Sequence, residues 1–286
     1  MFMKKLFNLK KITQKLITLI AFLIIALTVI YIYLYPYYEV PILAYHALAP
    51  IDKWPTPVVS LESFKKQMDY IKEHGYKVIS LDEYCHIIKE GRKPERRSVV
   101  ITFDDGYKNI FQGLQYLRDL DFPVTIFLPY WYIDKSLPYP YEENPDSKAI
   151  NKTNYLDYQD ISGLLKTSRL SIGSHTITHL VLVHKAPGII KNEISLSKEL
   201  FESMFGIEVS TIAYPVGAFD REIQRYVKEA GYDCAVTTNR GYSKDSDVYA
   251  IRRVKMTEKD VNDIRLFGKL SGYYNFFRKV EEPNGG

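Results

Sequence analysis

Apolar and polar positions follow two regimes along the chain. From Leu16 to Tyr35 the sequence LITLIAFLIIALTVIYIYLY is apolar on every helical face and contains no charge and no proline. About 20 such residues at 1.5 Å each cross a hydrocarbon core of roughly 30 Å, so a transmembrane helix is expected over residues 16–35. The run ends in Tyr31, Tyr33, Tyr35, Tyr37 and Tyr38. These suit an interfacial aromatic belt better than the small-residue cleavage site of a signal peptide.

Beyond the anchor, short apolar runs alternate with amphipathic helical segments, the pattern of β/α units around a parallel sheet or barrel. Strands are expected at Pro41–Tyr45, Lys77–Ile79, Val99–Phe103, Val124–Leu128, Leu170–Ile172, Thr211–Tyr214, Cys234–Thr237 and Ala250–Val254. The helices between them have readable ends. Ser60 caps a helix that stops at Gly75, and Ser80 with Glu83 forms a capping box. A long helix from Ile189 to Phe205 ends at Gly206, and another from Arg221 to Ala230 ends at Gly231. Roughly seven or eight units fit an α/β barrel. The stretch from Pro129 to Tyr155 lacks periodicity, so Trp131 and Tyr132 belong either to a substrate-facing loop or to a surface insertion.

Composition and charge refine this outline. With 46% apolar and 25% charged residues the body can bury a core. The net charge of +4 arises from Lys4, Lys5, Lys10, Lys11 and Lys15, all ahead of the apolar run. The remainder is nearly neutral, which argues against nucleic acid as a partner. Those lysines face a flank with Glu39 and no Lys or Arg before Lys53. The positive-inside rule therefore puts the N-terminus in the cytoplasm and the body outside the cell membrane. The expected division is a basic tail at 1–15, the span at 16–35, a catalytic domain at 36–280 and a flexible tail at 281–286. Cys85 falls in a helix and Cys234 in a strand, and a disulfide or two buried thiols both remain open. The absence of a CxxC pair argues against a thiolate zinc site.

Three segments carry candidate chemistry. In SVVITFDDGY a strand runs into Asp104 and Asp105, where an α/β fold gathers its active site, although such a pair also suits a helix N-cap. In SIGSHTITHL a short strand precedes His175 and His179, whose i, i+4 spacing puts both imidazoles on one face of a helical turn. Alone that is a common surface pattern. Joined by a carboxylate, two His and one Asp form an open metal site, with zinc the default and cobalt, nickel or iron also suited. In TIAYPVGAFD the turn Tyr214, Pro215, Val216 and Gly217 can offer main-chain N–H groups, that of Val216 foremost, to an oxyanion.

The chain resembles the polysaccharide deacetylase family, also called NodB-homology or carbohydrate esterase family 4 proteins. The similarity runs from VPILAYHAL at Val40, through FKKQMDYIKEHGYKVISLDEY, TFDDGY and HTITH, to YAIRRV at Tyr249. It implies a distorted (β/α) barrel and N-deacetylation of an N-acetylated polysaccharide. It also implies Asp104 as general base and Asp105, His175 and His179 as ligands of a divalent metal. The chain departs from the family where Ala213 and Tyr214 replace an Arg that orients the base, a charge that Arg252 or Arg253 could supply. A late His serving as general acid is also absent, since no His follows His184. The opening YH and the missing late His resemble the branch acting on extracellular poly-N-acetylglucosamine more than the peptidoglycan branch. Of the six histidines, His46 is the one left at the C-terminal end of a strand. It is either the proton donor to the leaving amine or a support behind the site.

Two rival readings stand beside this one. A non-catalytic carbohydrate-binding relative would explain the missing Arg and His but has no use for Asp104. A glycosidase needs carboxylates about 5 Å or more apart across a bond, which neighbours serve poorly.

Overall fold

In the computed structural model, which describes residues 2–50, 58–141, 150–167, 169–241 and 247–280, the alternating runs of the body become nine parallel strands. They are β1 (Ile42–Tyr45), β2 (Lys77–Val78), β3 (Ser98–Asp104), β4 (Val124–Leu128) and β5 (Leu170–Ser174). β6 (Thr211–Ala213), β7 (Cys234–Thr237), β8 (Ile251–Arg252) and β9 (Val254–Lys255) complete the set. The chain divides into two units, Met1–Glu39 and Val40–Gly286.

The first unit is a helix, Phe2–Leu34, followed by the turn Tyr35–Tyr37. It runs without a break through the basic segment that the lysine pattern sets apart as a tail. Lys11–Tyr37 is long and apolar enough to cross a membrane, and its apolar side chains are exposed. Thr18 and Thr28 return their hydroxyls to the carbonyls of Gln14 and Ile24. Their polarity is thereby satisfied inside the helix.

In the second unit the strand order is β8-β7-β6-β5-β4-β3-β1-β9, with β2 on β3. The ends of that order are adjacent in sequence, so the sheet is a nearly closed barrel. Where one strand is expected over Ala250–Val254, the chain instead changes partner: β8 pairs with β7, β9 pairs with β1, and Arg253 lies between them. The N–H of Arg253 still donates to Thr237. One residue therefore sits at the seam. β1, β3 and β4 are buried along their whole length, as expected of strands covered on both faces. The ring of Tyr45 stacks on Phe103 at 5.3 Å and meets Phe64 of the helix Leu61–Glu73 edge-on at 5.1 Å.

The helix signals hold at Ser60, whose hydroxyl accepts from Ser63, at Ser80, which accepts from Glu83, and at left-handed Gly206. The long helix is not uniform. Between Pro187–Lys191 and Ser197–Phe205 it passes through a π-helical segment, Asn192–Leu196.

The N-terminal end of the barrel is fastened by the helix Leu81–Lys89. Cys85 forms a disulfide with Cys234, the first residue of β7, joining positions 149 apart in sequence. Ser210, just ahead of β6, donates to Asp82, and Lys89 pairs with Asp233. Of the two states open for the cysteines, the structure has the disulfide.

Trp131 and Tyr132 lie in a short helix, Tyr130–Ile133, and are buried. Two lysines lace the insertion. Lys135 donates to the carbonyls of Tyr132 and Tyr155, and Lys152 to those of Asp134 and Leu137 while its ammonium stands 4.1 Å from the Trp131 ring. The expected tail at 281–286 lies outside the described residues.

Candidate active site

The C-terminal ends of β1, β3 and β5 bring together the residues that the motifs single out. β3 extends one residue further than expected, so Asp104 is its last residue and Asp105 begins the turn. Asp105 and Gly106 are both left-handed, with φ of 67° and 70°. Asp tolerates that region. At position 106 a Cβ would lie 2.4 Å from the Leu128 side chain, so any other residue would have to displace Leu128 and adopt a backbone conformation that favours glycine. The backbone thus turns sharply and gives two neighbouring carboxylates different surroundings.

Asp104 is buried on the guanidinium of Arg253. Nη1 donates to Oδ1 at 2.6 Å and Nη2 to Oδ2 at 2.8 Å, a bidentate charge-assisted pair, and Nη1 also reaches the Thr102 hydroxyl at 3.1 Å. Burial alone would push the Asp104 carboxyl up. The neighbouring Arg253 guanidinium, charged and hydrogen-bonded to it, overrides burial and holds it well below the usual carboxylate range. Of the two arginines proposed to orient the base, Arg253 is the one on Asp104. Arg252, next along an extended chain and so facing the other way, donates to the carbonyl of Arg240. His46 follows β1 directly, and its Nε2 stands 3.8 Å from Oδ2 of Asp104.

Asp105 has no such partner. Its buried Oδ1 accepts no hydrogen bond, yet it stands 3.6 Å from Nε2 of His175 and 3.4 Å from Nε2 of His179. One ligand atom from each of the three residues lies within 4.8 Å of the others. Nδ1 of His175 contacts the Ala213 carbonyl at 2.7 Å. A carbonyl can only accept, so Nδ1 donates and Nε2 presents a lone pair in the neutral ring. Burial, reinforced by His179, pushes His175 down to about 4, which keeps that ring neutral. A carboxylate oxygen and imidazole lone pairs converging without donors between them form a cradle for a cation.

The histidines are not on a helix face as their spacing suggests. Residues 176–178 form a turn in which Thr176 is left-handed at φ 68°, and His179 follows at 61°. The i, i+4 spacing still converges because the turn folds back on itself. Its imidazoles meet at 4.7 Å between ring centroids.

The third segment is a packed turn. Tyr214 is fully buried, stacked on Phe219 at 4.8 Å, with its hydroxyl donating to Tyr249, so its side chain belongs to the core rather than to a substrate surface. Pro215 and Gly217 are also buried, and a Cβ at Gly217 would stand 2.5 Å from the Thr238 hydroxyl. Val216 alone is exposed, with φ of 52°.

Apart from Tyr132, which sequence already offers as substrate-facing, sequence reading misses two features here. Tyr107, Tyr132 and Tyr155 stack beside the cradle at 4.5 and 4.9 Å, with Tyr132 6.3 Å from the His179 ring. Burial, then the charge of Asp105, pushes the Tyr107 phenol up, so it remains a donor at neutral pH. Its place two residues beyond the Asp pair is the available signal. The second feature is Glu193, a charged residue in the middle of an amphipathic helix.

Comparisons with known proteins agree with this geometry. The profile of the polysaccharide deacetylase family matches residues 91–235. The Bacillus subtilis protein YxkH, whose name assigns it provisionally to that family, is 29% identical over 221 residues, 77% of this chain and 72% of its own. The poly-β-1,6-N-acetyl-D-glucosamine N-deacetylase of Staphylococcus aureus is 24% identical over 210 residues, covering 70% of this chain and 68% of its own. Among solved structures, the Streptococcus pyogenes deacetylase PplD in complex with acetate superposes with a TM-score of 0.70 at 20% identity, covering 81% of this chain and 97% of that one. That likeness establishes the distorted barrel of the deacetylase type.

Proposed function

The chain belongs to the polysaccharide deacetylase family, hydrolases of linear amides, and from that premise we propose that it removes N-acetyl groups from an extracellular N-acetylglucosamine polymer with the aid of a divalent metal. Poly-N-acetylglucosamine is the favoured polymer, ahead of peptidoglycan and chitin-like chains, because the staphylococcal relative is named for it.

One observation carries the reading: two adjacent carboxylates, one locked on an arginine and one facing two imidazoles with no hydrogen bond of its own. Asp105, His175 and His179 hold the metal. When bound, it supplies a Lewis acid for the amide carbonyl and lowers the pKa of water, with zinc first and cobalt, nickel or iron also fitting the donor set. Asp104, kept ionised by Arg253, takes the proton of the attacking water. His46, 3.8 Å from that carboxylate, gives a proton to the leaving glucosamine amine. The main-chain N–H of Val216 turns toward the developing oxyanion. Arg253 replaces the arginine missing before Pro215, which removes the main motive for a non-catalytic relative.

Residues 16–35 are proposed as a membrane anchor, with 1–15 in the cytoplasm, 36–280 outside as the catalytic domain and 281–286 as its tail. Lysine asymmetry supports this orientation. Full-length protein in detergent micelles, incubated with poly-N-acetylglucosamine, chitin oligomers and peptidoglycan, is expected to release acetate and expose amines. Released sugar without acetate would indicate a glycosidase, and binding with neither product would indicate a lectin-like role.

A further inference from the structure

The turn carrying the two histidines is held in a conformation its own residues disfavour. Left-handed backbone is an outlier for a β-branched threonine, yet Thr176 adopts it at φ 68°, so contacts from outside must over-determine the turn. The N–H groups of Tyr130 and Trp131 donate to the Thr176 and Ile177 carbonyls at 3.1 and 2.8 Å, and the side-chain contacts come from one helical segment, Asn192–Ser197.

Glu193 is fully buried within the π-helical part of that segment, together with Ile194. A π-bulge adds one residue to the helical circuit and so rotates a side chain away from the face that α-periodicity would give it. Oε2 of Glu193 accepts from the main-chain N–H of Ile177 at 2.9 Å and of Thr178 at 3.0 Å. Oε1 accepts the Thr178 hydroxyl at 2.8 Å, and the Tyr141 hydroxyl bonds to the same carboxylate. Among the described residues no Lys or Arg forms an ion pair with Glu193. A buried carboxylate normally needs a cation or a metal, whereas three of its four donors here come from this single turn.

Four residues further on, the Ser197 hydroxyl meets the Ser174 hydroxyl at 2.8 Å, and Ser174 Oγ in turn accepts from Thr176 N–H at 3.1 Å. One helical segment therefore grips the turn on both sides: Ser197 just ahead of His175, Glu193 just ahead of His179. We propose that Glu193 is a positioning residue that sets the spacing of the His175 and His179 imidazoles and hence the affinity of the cation cradle. The inference rests on reading Asp105, His175 and His179 as the metal site. It assigns Glu193 no contact with metal or substrate.

The test is zinc affinity of the full-length protein in detergent, measured by competition with a chromophoric chelator, alongside thermal unfolding of the metal-free protein. Glu193→Ala is expected to weaken zinc by about 10- to 100-fold, the range for removing an outer support of a ligand. Glu193→Gln keeps one oxygen for both main-chain N–H groups, and its amide can donate to the Thr178 hydroxyl, which also accepts. It is expected to bind zinc nearly as wild type does. Thr178→Val, which loses one bond of the set, should fall between them, and it carries the test with Glu193→Gln if Glu193→Ala does not fold. Wild-type zinc affinity in Glu193→Ala or Thr178→Val would overturn the inference. So would a loss in Glu193→Gln as large as that in Glu193→Ala, since charge rather than position would then be responsible. A wild-type protein that binds no zinc would overturn the metal-site reading itself, a result distinct from either of these.

Discussion

The two ends of the barrel use the same strands for opposite purposes. At the N-terminal end, helix Leu81–Lys89 is fastened to β6 and β7 by Asp82 with Ser210, Lys89 with Asp233, and the Cys85–Cys234 disulfide. Each group there has a partner that satisfies it. Left-handed backbone occurs at both ends, at Arg97 and Asp121 ahead of β3 and β4 and at Asp105, Thr176, His179 and Val216 at the C-terminal end, but it is at the C-terminal end that a carboxylate oxygen, Oδ1 of Asp105, is buried without a hydrogen bond. Strained backbone and unmet polar atoms persist only where surrounding structure enforces them. The contrast separates an end that supplies stability from an end that consumes it for chemistry, as parallel barrels generally do.

That division can be broken most severely at Asp104. Asp104→Asn is expected to lower turnover by about 10²- to 10⁴-fold, the contribution of general-base catalysis, while zinc binding persists. Asp105→Asn should instead weaken zinc binding. Near-normal acetate release from Asp104→Asn would move the base elsewhere.

Arg253→Met tests whether the seam serves both ends. Removing one partner of a buried ion pair costs about 3–5 kcal/mol, and Arg253 and Asp104 are 0% and 2% exposed, so denaturant unfolding should register a loss of that order. The variant also carries a pH signature. Burial raises the Asp104 carboxyl, and the Arg253 charge is the first-ranked force lowering it. Without the guanidinium the carboxyl therefore protonates at higher pH, and the acid limb of kcat/KM should move upward. An unmoved limb would mean that Asp104 is not the group titrating in turnover.

His46→Ala sharpens the rim further: zinc should bind normally while deacetylation falls by about two orders of magnitude. An unchanged rate would leave His46 a support behind Asp104. The smallest effect on turnover is expected at the opposite end. Replacing Cys85 and Cys234 by Ala should lower stability by about 2–5 kcal/mol through the freed chain, with kcat/KM unchanged at temperatures below melting. A matching fall in kcat/KM would show that the two ends are coupled.

Much of this organisation was legible beforehand, for physical reasons. β/α alternation and helix caps at Ser60, Ser80 and Gly206 are local signals, and all three caps are observed. The Asp pair and the HTITH run sit at strand ends, where topology alone brings chemistry together. What escaped depends on non-local geometry. Whether Arg252 or Arg253 faces Asp104 is set by a change of strand partner at residue 253 that no periodicity marks. A helical spacing was read at His175 and His179 because i, i+4 proximity also arises in a turn, and only the left-handed Thr176 distinguishes the two. Nothing in the helical periodicity around Glu193 marks the π-bulge that turns it inward. The cysteines, 149 residues apart, gave no local sign of meeting.

The central claim, that this rim hydrolyses acetamido groups with a metal held by Asp105, His175 and His179, is tested most directly by acetate release from poly-N-acetylglucosamine. Full-length protein in detergent would be assayed as purified, after exhaustive chelation, and after restoring zinc. Acetate release is expected to vanish on chelation and to return with zinc in the wild type but not in His175→Ala. Undiminished release from thoroughly stripped protein would contradict it.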